Sequence, residues 1–561
     1  MADNNLAKSI LELYPELTID ESQSNDKVVI FSLLEKSFAL LCPDEQNPGS
    51  VAMIFVLDND FDYPHIMLDE REFEGNEILP KGKYRYVCLH QSGSVISFLQ
   101  SFDEKITDAI ERLIELMQLS PKETEREYQK EFLYYWNAVS HNDNAQLFLQ
   151  NTNEYARMVV YQGEKIRRYL APEIVLSDID ERKNKGKDRV WQHRSDIEAF
   201  FIPIIDNRVI LPPTKKKKWG VAEITEILYG KKIRHISSST FNALKNEDTH
   251  YNCIDLIFSM VVNDLPITFM ARLTMKNSAG NTTLLARILE GNFEVQTMCI
   301  QREDYAYLNE IIGNSSSCAN KKVLLIGAGS LGSYVGWDLV KNGFKQLTIY
   351  DGDRLSSENF MRWAYGGILK SGNKATTLKI YLELMHPEIV IDSYEKNFNV
   401  QDITDQINDY DYIIFTVGGS DVQLQFNRIL KEKNIKSRGL FAWLEAGGDH
   451  SHILSVNYHQ HGCFECLFTD KNGNLINNKA NVVAEDIVIS NTISNGCGAT
   501  RVAYGSAVLL RTVSALLTFI KELESGVKEK NCLINIAPDK VVYEFDTFEE
   551  KRCRCCGDKT H

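Results

Sequence analysis

An apolar run that passes directly into a turn with three glycines constrains the fold of this chain most strongly. Residues 323–326 read as a buried strand, and Gly327, Gly329 and Gly332 follow it before a helix-like stretch at 334–341. A turn without side chains lets backbone N–H groups and the positive end of the next helix approach phosphate oxygens. The pattern predicts a nucleotide-phosphate site in a Rossmann-like α/β domain, and by itself it fits a dehydrogenase equally well.

The charged residues beyond the next strand narrow the kind of nucleotide site. A second apolar strand, 346–350, ends at Asp351, where a carboxylate can receive ribose hydroxyl groups. Asn359, Arg362 and Lys374 follow it along the chain. A hydride-transfer enzyme has no need of arginine and lysine here, whereas a site that splits ATP must hold the charge of the departing pyrophosphate. The sequence therefore favours adenylation over a nicotinamide-dependent oxidoreductase.

This pattern resembles the ThiF/MoeB family of ubiquitin-activating-like enzymes. The matching features are the glycine turn, the aspartate that ends the second strand, an N-x-x-R motif and a lysine shortly after it. The resemblance implies that ATP is bound and that the C-terminal carboxylate of a small protein is activated as an acyl adenylate. It further implies that Asp351 binds the ribose and that Asn359, Arg362 and Lys374 contact the phosphates.

The magnesium ligand is the point where the chain departs from the family's pattern. The family usually carries a Mg²⁺-binding aspartate after the fourth strand, but here the apolar run 412–415 is followed by the segment 416–420 before Asp421 is reached. The aspartate is displaced by several residues. Asp421 is one candidate Mg²⁺ ligand, and Asp353 is another.

Two C-x-x-C pairs, Cys463/Cys466 and Cys553/Cys556, occur among the twelve cysteines of the chain. In a reducing compartment such pairs indicate tetrahedral Zn²⁺, because four thiolates satisfy the ion and join two distant loops. The alternative is that one pair is incidental, and Cys555 can replace a neighbour as ligand. ThiF/MoeB-like proteins often carry a four-cysteine zinc site at this place, so the resemblance reaches the second pair.

Cys497 stands apart from these pairs in a glycine-flanked loop, 494–500, just before a long apolar helix. A thiol near a helix N-terminus can be exposed and have a lowered pKa, as a nucleophile requires. In activating enzymes that go beyond adenylation, a cysteine in the loop leading to this helix takes the acyl group from AMP as a thioester. The resemblance implies this role for Cys497, and the alternative is an inert loop cysteine.

Residues 1–120 follow a different pattern. A helix is followed by short alternating strands, a proline turn at 63–65, the segment 87–89 around Cys88 and an amphipathic helix at 104–119. This order resembles a ubiquitin-conjugating enzyme, in which Cys88 stands where the family keeps its catalytic cysteine. The family's His-Pro-Asn tripeptide and the tryptophan that often follows the cysteine are absent, so the oxyanion-stabilising group stays unassigned. A catalytically inactive docking module is the alternative.

The composition excludes several classes of function. The net charge is −15 with the acidic excess spread along the chain, which argues against a nucleic-acid partner. We recognise no bilayer-spanning run and no signal peptide, and we expect a cytoplasmic protein with reduced thiols. The length of 561 residues allows roughly three to four domains, and we assign three. These are a conjugating-like α+β domain at 1–120, an α+β connector at 121–317 that opens with a charged helix at 123–138, and the α/β adenylation domain at 318–561.

Taken together, the modules resemble the fused enzymes of bacterial antiphage operons of the CBASS type. The resemblance implies that a donor protein, a cGAS/DncV-like nucleotidyltransferase, is activated at its C-terminus, transferred to Cys497 and then to Cys88, and conjugated to target-protein lysines. Related activating domains commonly pair, which implies a homodimer. A sulfur-carrier activator of the ThiF/MoeB type stays open as an alternative, with residues 1–120 as a non-catalytic docking domain.

Overall fold

The computed structural model divides the chain into two compact units, Met1–Pro172 with His193–Arg302 and Glu173–Gln192 with Glu303–His561. The predicted division at residue 120 falls inside the first unit, and the three-domain organisation stays a prediction. Among the described helices, none is both long and apolar enough to cross a membrane. The structure describes residues 3–557 apart from 26, 45, 59–60, 68–70, 74–81, 91–96, 178–190, 215, 277–281, 315–317, 368–370, 491 and 495–499.

The first unit begins with a helix, an antiparallel sheet and a second helix. The bounds are α1 Asp3–Leu11, β1 Leu17–Asp20, β2 Val28–Leu33, β3 Lys36–Leu41, β4 Met53–Val56, β5 Arg71–Phe73, β6 Gly82–Tyr86 and α2 Phe102–Met117. The strands lie in the order β1-β2-β3-β4-β6-β5. A capping box between Ser101 and Glu104 starts α2, which buries Ile106, Ile110 and Leu113. The element order is the predicted one, while the assignment to a conjugating-like fold stays a prediction.

The charged helix expected at 123–138 is two helices, α3 Pro121–Lys130 and α4 Phe132–Val139. Glu131 lies between them with φ −99° and ψ 21°, outside regular helical geometry. The break separates a largely exposed helix from one that is largely buried. No described residue of α3 is fully buried, whereas Phe132, Tyr135 and Trp136 of α4 are. The prediction of one charged helix at 123–138 is therefore wrong, because the second segment is a separate helix that buries three aromatic side chains.

An eight-stranded sheet, a two-stranded sheet and three helices complete this unit. Their bounds are β7 His141–Phe148, β8 Ala156–Gln162, β9 Arg167–Leu170, β10 Gln192–His193, β11 Ile197–Pro203, α5 Val221–Tyr229, α6 Ser238–Lys245, β12 Asp248–Thr249, β13 Cys253–Val262, β14 Leu265–Met275, β15 Thr282–Thr283, α7 Leu284–Glu290 and β16 Phe293–Arg302. The large sheet has the order β10-β8-β11-β13-β14-β16-β7-β9, and β9 also pairs with β8, which closes it on itself. Side chains of α4 to α7 pack with this sheet in one hydrophobic cluster.

The second unit carries the glycine turn. Its bounds are α8 Tyr305–Ile311, β17 Lys322–Ile326, α9 Ser330–Lys341, β18 Gln346–Tyr350, α10 Lys374–Glu383, β19 Val390–Tyr394, β20 Tyr412–Phe415, α11 Ser420–Glu432, β21 Arg438–Leu444, β22 Ser451–Val456, α12 Glu485–Ser490, β23 Thr492–Ser494, β24 Thr500–Val502, α13 Ser506–Glu524, β25 Cys532–Ile536 and β26 Val541–Phe545. The apolar runs predicted as strands at 323–326, 346–350 and 412–415 are all strands.

The main sheet of this unit has the order β19-β18-β17-β20-β21-β22-β25-β26. The first five strands run parallel and the last three continue antiparallel. Along β17, Val323 and Leu325 pack into one hydrophobic cluster, while Leu324 and Ile326 pack into another on the opposite face. Strand order reverses at β17, so a crevice opens between the carboxyl ends of β17 and β20, which is where ligands bind in open α/β sheets. The predicted Rossmann-like α/β architecture is present.

Candidate functional site

The glycine turn lies between β17 and α9. Gly327 has φ +97°, and its N–H donates to the carbonyl oxygen of Tyr350 at 2.9 Å. A Cβ atom on Gly332 would lie 1.9 Å from the carbonyl oxygen of Gly327. Both positions therefore require glycine, for different reasons. Helix α9 begins at Ser330, four residues earlier than the stretch read from the sequence, so its N-terminus lies inside the turn.

A cavity of about 710 Å³ opens beside this turn. Among the residues proposed from the sequence, those that line it are Gly327, Gly329, Asp351, Asp353 and Lys374. The structure thus brings the phosphate turn, the expected ribose carboxylate and one cationic side chain to a single wall. The volume of the cavity suits a nucleotide-sized ligand, because small-molecule sites commonly measure about 300–1,000 Å³.

Asp351 ties the turn to the end of β18. One carboxylate oxygen accepts the Ala328 N–H at 2.7 Å, and the other accepts the Asp353 N–H at 2.8 Å. Burial raises the pKa of Asp351, while these two backbone donors and Lys374 act in the opposite direction. A carboxylate has about four lone-pair positions. Asp351 can therefore hold the loop and accept ribose hydroxyl groups as well.

Lys374 is held at the cavity by Asp353. The ammonium lies 2.7 Å from the Asp353 carboxylate, and the Lys374 N–H donates to the Asp353 carbonyl oxygen at 2.9 Å. The lysine side chain is 11% exposed and that of the aspartate is 71% exposed. A mostly buried cation next to an exposed anion is suited to exchanging this partner for a phosphate.

Four of the predicted residues are not among the described residues that line the cavity, namely Gly332 of the turn, Asn359, Arg362 and Asp421. The Asn359 side-chain oxygen accepts from the backbone and hydroxyl of Ser356, so this amide caps a short helix. The Arg362 guanidinium stands 5.8 Å from the ring centre of Tyr504. Asp421 is exposed in the first turn of α11 and is not among the described residues that line the cavity. Their predicted contacts with phosphate and Mg²⁺ stay predictions.

Two segments that line the cavity were given no role in the sequence analysis. They are 397–401, which follows β19, and 416–419, which follows β20. Thr416 donates its hydroxyl to the Gly327 carbonyl oxygen at 2.8 Å and so braces the turn. The usable signal was topological, because ligands collect at the carboxyl ends of parallel strands next to the switch point. Applying it requires the strand order, which periodicity alone does not provide.

Comparison with known proteins places this site in a family. The ThiF family model matches residues 311–554. This stretch holds the glycine turn, all of the cavity lining and three of the four paired cysteines. The second unit carries a ThiF-family domain.

Relatives extend the similarity beyond this domain. An ATP-dependent ubiquitin transferase-like protein Cap2 of Escherichia coli (strain TW11681) is 23% identical over 424 residues, which is 69% of each chain. Adenylyltransferase and sulfurtransferase MOCS3 of Dictyostelium discoideum is 26% identical over 161 residues, 28% of this chain and 36% of that protein. The crystal structure of E. coli MccB with selenomethionine MccA covers 43% of this chain and 68% of its own, at 18% identity and a TM-score of 0.34.

The ThiF domain gathers the four paired cysteines at one point. Their Sγ atoms all lie within 4.8 Å of one another, with 3.8 Å between Cys463 and Cys553 and 3.4 Å between Cys466 and Cys556. Ligands about 2.3 Å from a tetrahedral zinc ion stand about 3.8 Å apart. The donor set and its spacing therefore fit Zn²⁺. Cys555, the alternative ligand, lies outside this group, and its sulfur accepts from the Asn427 side chain at 3.6 Å.

Cys497, the predicted thioester cysteine of the ThiF domain, lies outside the described residues. The short paired strands β23 and β24 stand on either side of its loop, and α13 follows. The loop is approached through a segment held by Glu445, whose carboxylate accepts the N–H groups of Val482 and Val483. His452 lies 2.6 Å from the same carboxylate and is fully buried.

Cys88 is half-buried immediately after β6 in the first unit. Its N–H donates to the His65 carbonyl oxygen at 2.6 Å, and its thiol donates to the His90 carbonyl oxygen at 3.5 Å. Burial raises the pKa of the Cys88 thiol, and the charge of Glu131 adds to that shift. The His90 ring lies 2.8 Å from Asp108.

His65 is the residue near Cys88 that sequence reasoning missed. It has φ +66°, unusual for a residue other than glycine, and its ring lies between Glu127 and Glu131 at 2.8 Å from each. The proline turn at 63–65 was visible in the sequence. Its proximity to Cys88 was not, because the two segments meet only through the bridge between Ile66 and Val87.

Proposed function

We propose that this chain is an ATP-dependent enzyme that activates the C-terminal carboxylate of a protein and conjugates that protein to lysines. The observation that carries the proposal is the cavity at the carboxyl ends of β17 and β20. It brings together a backbone phosphate turn, the Asp351 carboxylate and the Lys374–Asp353 pair.

Adenylation is the chemistry that these groups support. A carboxylate oxygen of the donor attacks the α-phosphorus of ATP, and pyrophosphate leaves. The N-terminus of α9 and the Lys374 ammonium stabilise the charge that develops on the phosphates. Asp351 orients the nucleotide through its ribose, so the reacting atoms meet in a defined geometry. We assign Asn359 and Arg362 to phosphate contacts that form when nucleotide is bound.

Mg²⁺ has a fitting ligand in this cavity. Asp353 presents an exposed carboxylate on the cavity wall, whereas Asp421 lies outside the lining. Mg²⁺ commonly uses one or two carboxylates together with substrate phosphates and water. We therefore place it at Asp353, where its bound charge would neutralise phosphate oxygens.

Thioester formation follows from the reactivity of the adenylate. The Cys497 thiolate attacks the acyl carbon, and AMP leaves with the carboxyl oxygen. The acyl group then exchanges onto Cys88, with the Cys497 thiol released. This exchange is nearly isoenergetic, so geometry decides its rate. A lysine amine of the target finally takes the acyl group as an amide.

The similarity to Cap2, an ATP-dependent ubiquitin transferase-like protein, supports a protein substrate in this proposal. The donor is a cGAS/DncV-like nucleotidyltransferase in antiphage defence, and the enzyme is a cytoplasmic homodimer with Zn²⁺ in its ThiF domain. The competing outcome is sulfur-carrier activation, for which the similarity to MOCS3 is the relevant observation. It predicts sulfur transfer to the donor carboxylate and no lysine conjugate.

Intact-mass measurement on the full chain with ATP, Mg²⁺ and the candidate donor tests the proposal. We expect a reducible donor adduct and release of AMP. Cys497→Ala should lose every adduct, whereas Cys88→Ala should keep one on Cys497 and lose lysine conjugates. Unchanged lysine conjugation by Cys88→Ala would contradict the relay. A donor thiocarboxylate in place of conjugates would favour sulfur transfer.

A further inference from the structure

Two carboxylates from the α3–α4 segment flank the ring of His65, whose backbone pairs with Cys88. The His65 ring binds Glu127 through Nε2 and Glu131 through Nδ1, each at 2.8 Å. The His65 carbonyl oxygen in turn accepts the Cys88 N–H at 2.6 Å. The conjugating-like module of residues 1–120 therefore does not complete the surroundings of its own cysteine. Residues from the predicted connector do.

Glu127 and Glu131 are neutralised to different extents by the cations beside them. A carboxylate only accepts hydrogen bonds, so a ring that faces one carboxylate at each nitrogen donates from both and is an imidazolium. Burial alone would lower the pKa of His65, but Glu131 and Glu127 outweigh it and the net shift is upward. Lys130 forms a second ion pair with Glu127. Two cations thus neutralise Glu127, while Glu131 shares one of them.

The Glu131 carboxylate influences the Cys88 thiol through its charge. Its charge, together with burial, raises the pKa of Cys88. Its side chain is 26% exposed, so a group from solvent can reach it. The ionisable groups that act on the neighbouring Tyr135 phenol are Glu131 itself, Tyr128, Asp62 and Tyr134. Burial raises the pKa values of Tyr128 and Tyr135, which keeps both phenols neutral.

A negative charge beside a thiol opposes formation of the thiolate. Glu131 is therefore badly placed to activate Cys88 as a nucleophile. The same charge is well placed once Cys88 is a neutral thioester and the incoming reactant is a cation. A primary ammonium is such a reactant, and it must lose a proton before its nitrogen can attack.

We propose that Glu131 receives the primary ammonium of the acceptor at the Cys88 thioester and takes its proton. This inference rests on the proposed function. His65 and Glu127 are positioning residues, because they fix the rotamer of Glu131 and the backbone that presents Cys88.

The step balances as follows. One proton passes from the ammonium to the Glu131 carboxylate, and the amine nitrogen attacks the thioester carbonyl carbon. The C–N bond forms, the C–S bond breaks, and Cys88 leaves with the electron pair. The second nitrogen proton neutralises the Cys88 sulfur, which ends as a thiol. Glu131 then releases its proton to solvent.

The test separates this step from adenylation. Full-length Cys497→Ala protein is loaded at Cys88 by exchange with a synthetic peptide that carries a C-terminal thioester, and loading is verified by peptide mapping against Cys88→Ala. Discharge is then followed in a single turnover with free lysine and, separately, with hydroxylamine. Hydroxylamine is neutral near pH 7 and needs no deprotonation before it attacks.

We expect Glu131→Gln to slow discharge to lysine about 10²–10⁴-fold, the usual contribution of a general base. Discharge to hydroxylamine should be nearly unchanged. The lysine rate of the variant should rise steeply toward the amine pKa of about 10.4, whereas the wild-type rate should rise less. Glu125→Gln is the matched control, because Glu125 is an exposed carboxylate of α3, the helix that ends just before Glu131.

Equal slowing of lysine and hydroxylamine would overturn the inference, since a merely structural role affects both. An unchanged lysine rate in Glu131→Gln would overturn it as well. A Cys88 that cannot be loaded by exchange would contradict both the inference and the relay. Normal loading and discharge together with an absent ATP-dependent adduct would leave Glu131 supported and refute the proposed activation step.

Discussion

In the glycine-turn cavity, the charged residues come from one continuous stretch, 327–374, whereas the groups around Cys88 come from three separate segments. Asp351 and Lys374 follow the turn at spacings that a reader of the sequence can recognise. His65 and Glu131 reach Cys88 only because β-strand pairing and the α3–α4 break bring them there. The charged groups proposed to bind the nucleotide are therefore recognisable from their spacing in the sequence, whereas a site assembled from distant segments is not.

The four-cysteine cluster tests how far the sequence pattern predicts sites in the ThiF domain. Cys466→Ser should remove stoichiometric zinc and lower the melting temperature of the ThiF domain by more than about 10 °C, because structural zinc in finger peptides is worth roughly 10–16 kcal/mol. Metal analysis and thermal unfolding measure this. Cys555→Ser is the control and should keep both zinc and stability. Wild-type protein that is well folded but contains no zinc would contradict the prediction of a metal site from the paired cysteines.

Loss of the cavity cation is the next largest effect. Lys374→Ala should lower ATP–pyrophosphate exchange, measured with the donor established by intact mass, about 10²–10³-fold, as loss of one charge-stabilising donor commonly does. Chemical loading of Cys88 should not change. The exposed Lys341 at the end of α9 provides a matched Lys341→Ala control. Equal loss in the two variants would show that net charge, and not the cavity, is responsible.

Substitutions of two glycines in the turn test its geometry through the stability of the protein. Gly332→Ala places a Cβ against the Gly327 carbonyl oxygen, which should lower the free energy of unfolding by about 3 kcal/mol or more. Gly329→Ala has open space around its Cβ and should leave the free energy nearly unchanged. Denaturant unfolding measures both. Equal stability of the two variants would mean that the turn tolerates side chains that its geometry excludes.

The His65 ion pairs give the smallest effect and a pH dependence. Because the folded pKa of His65 is raised, its stabilisation is complete below the unfolded histidine pKa of about 6.5 and is lost as pH rises through the folded value. His65→Gln should cost about 1–3 kcal/mol at roughly pH 6 and less at roughly pH 8.5. Urea unfolding at both pH values measures this. The exposed His141 supplies the control, His141→Gln, and a His65 effect that grows with pH would contradict the imidazolium.

The sequence predicted much of the ThiF domain and little of the site around Cys88. The strands at 323–326, 346–350 and 412–415 were recognisable because a strand that is buried on both faces of its sheet is a nearly continuous apolar run. The start of α9 was missed by four residues, since Ser330 belongs both to the turn and to the helix. The cavity walls at 397–401 and 416–419 were not identified as such, because their role depends on strand order and not on local spacing.

The sequence by itself determined which groups for phosphate and metal binding this chain carries. Glycines at 327 and 332, the carboxylate at 351, the lysine at 374 and the paired cysteines are covalent facts whose spacing implies phosphate and metal binding. Only the tertiary structure decided which of these groups share a cavity, that Asn359 and Asp421 are not among its described lining residues, and that Glu131 binds the ring of His65, whose backbone pairs with Cys88. The reason is physical: motif spacing specifies contacts within one βαβ unit, whereas contacts between distant segments follow from how the buried faces pack.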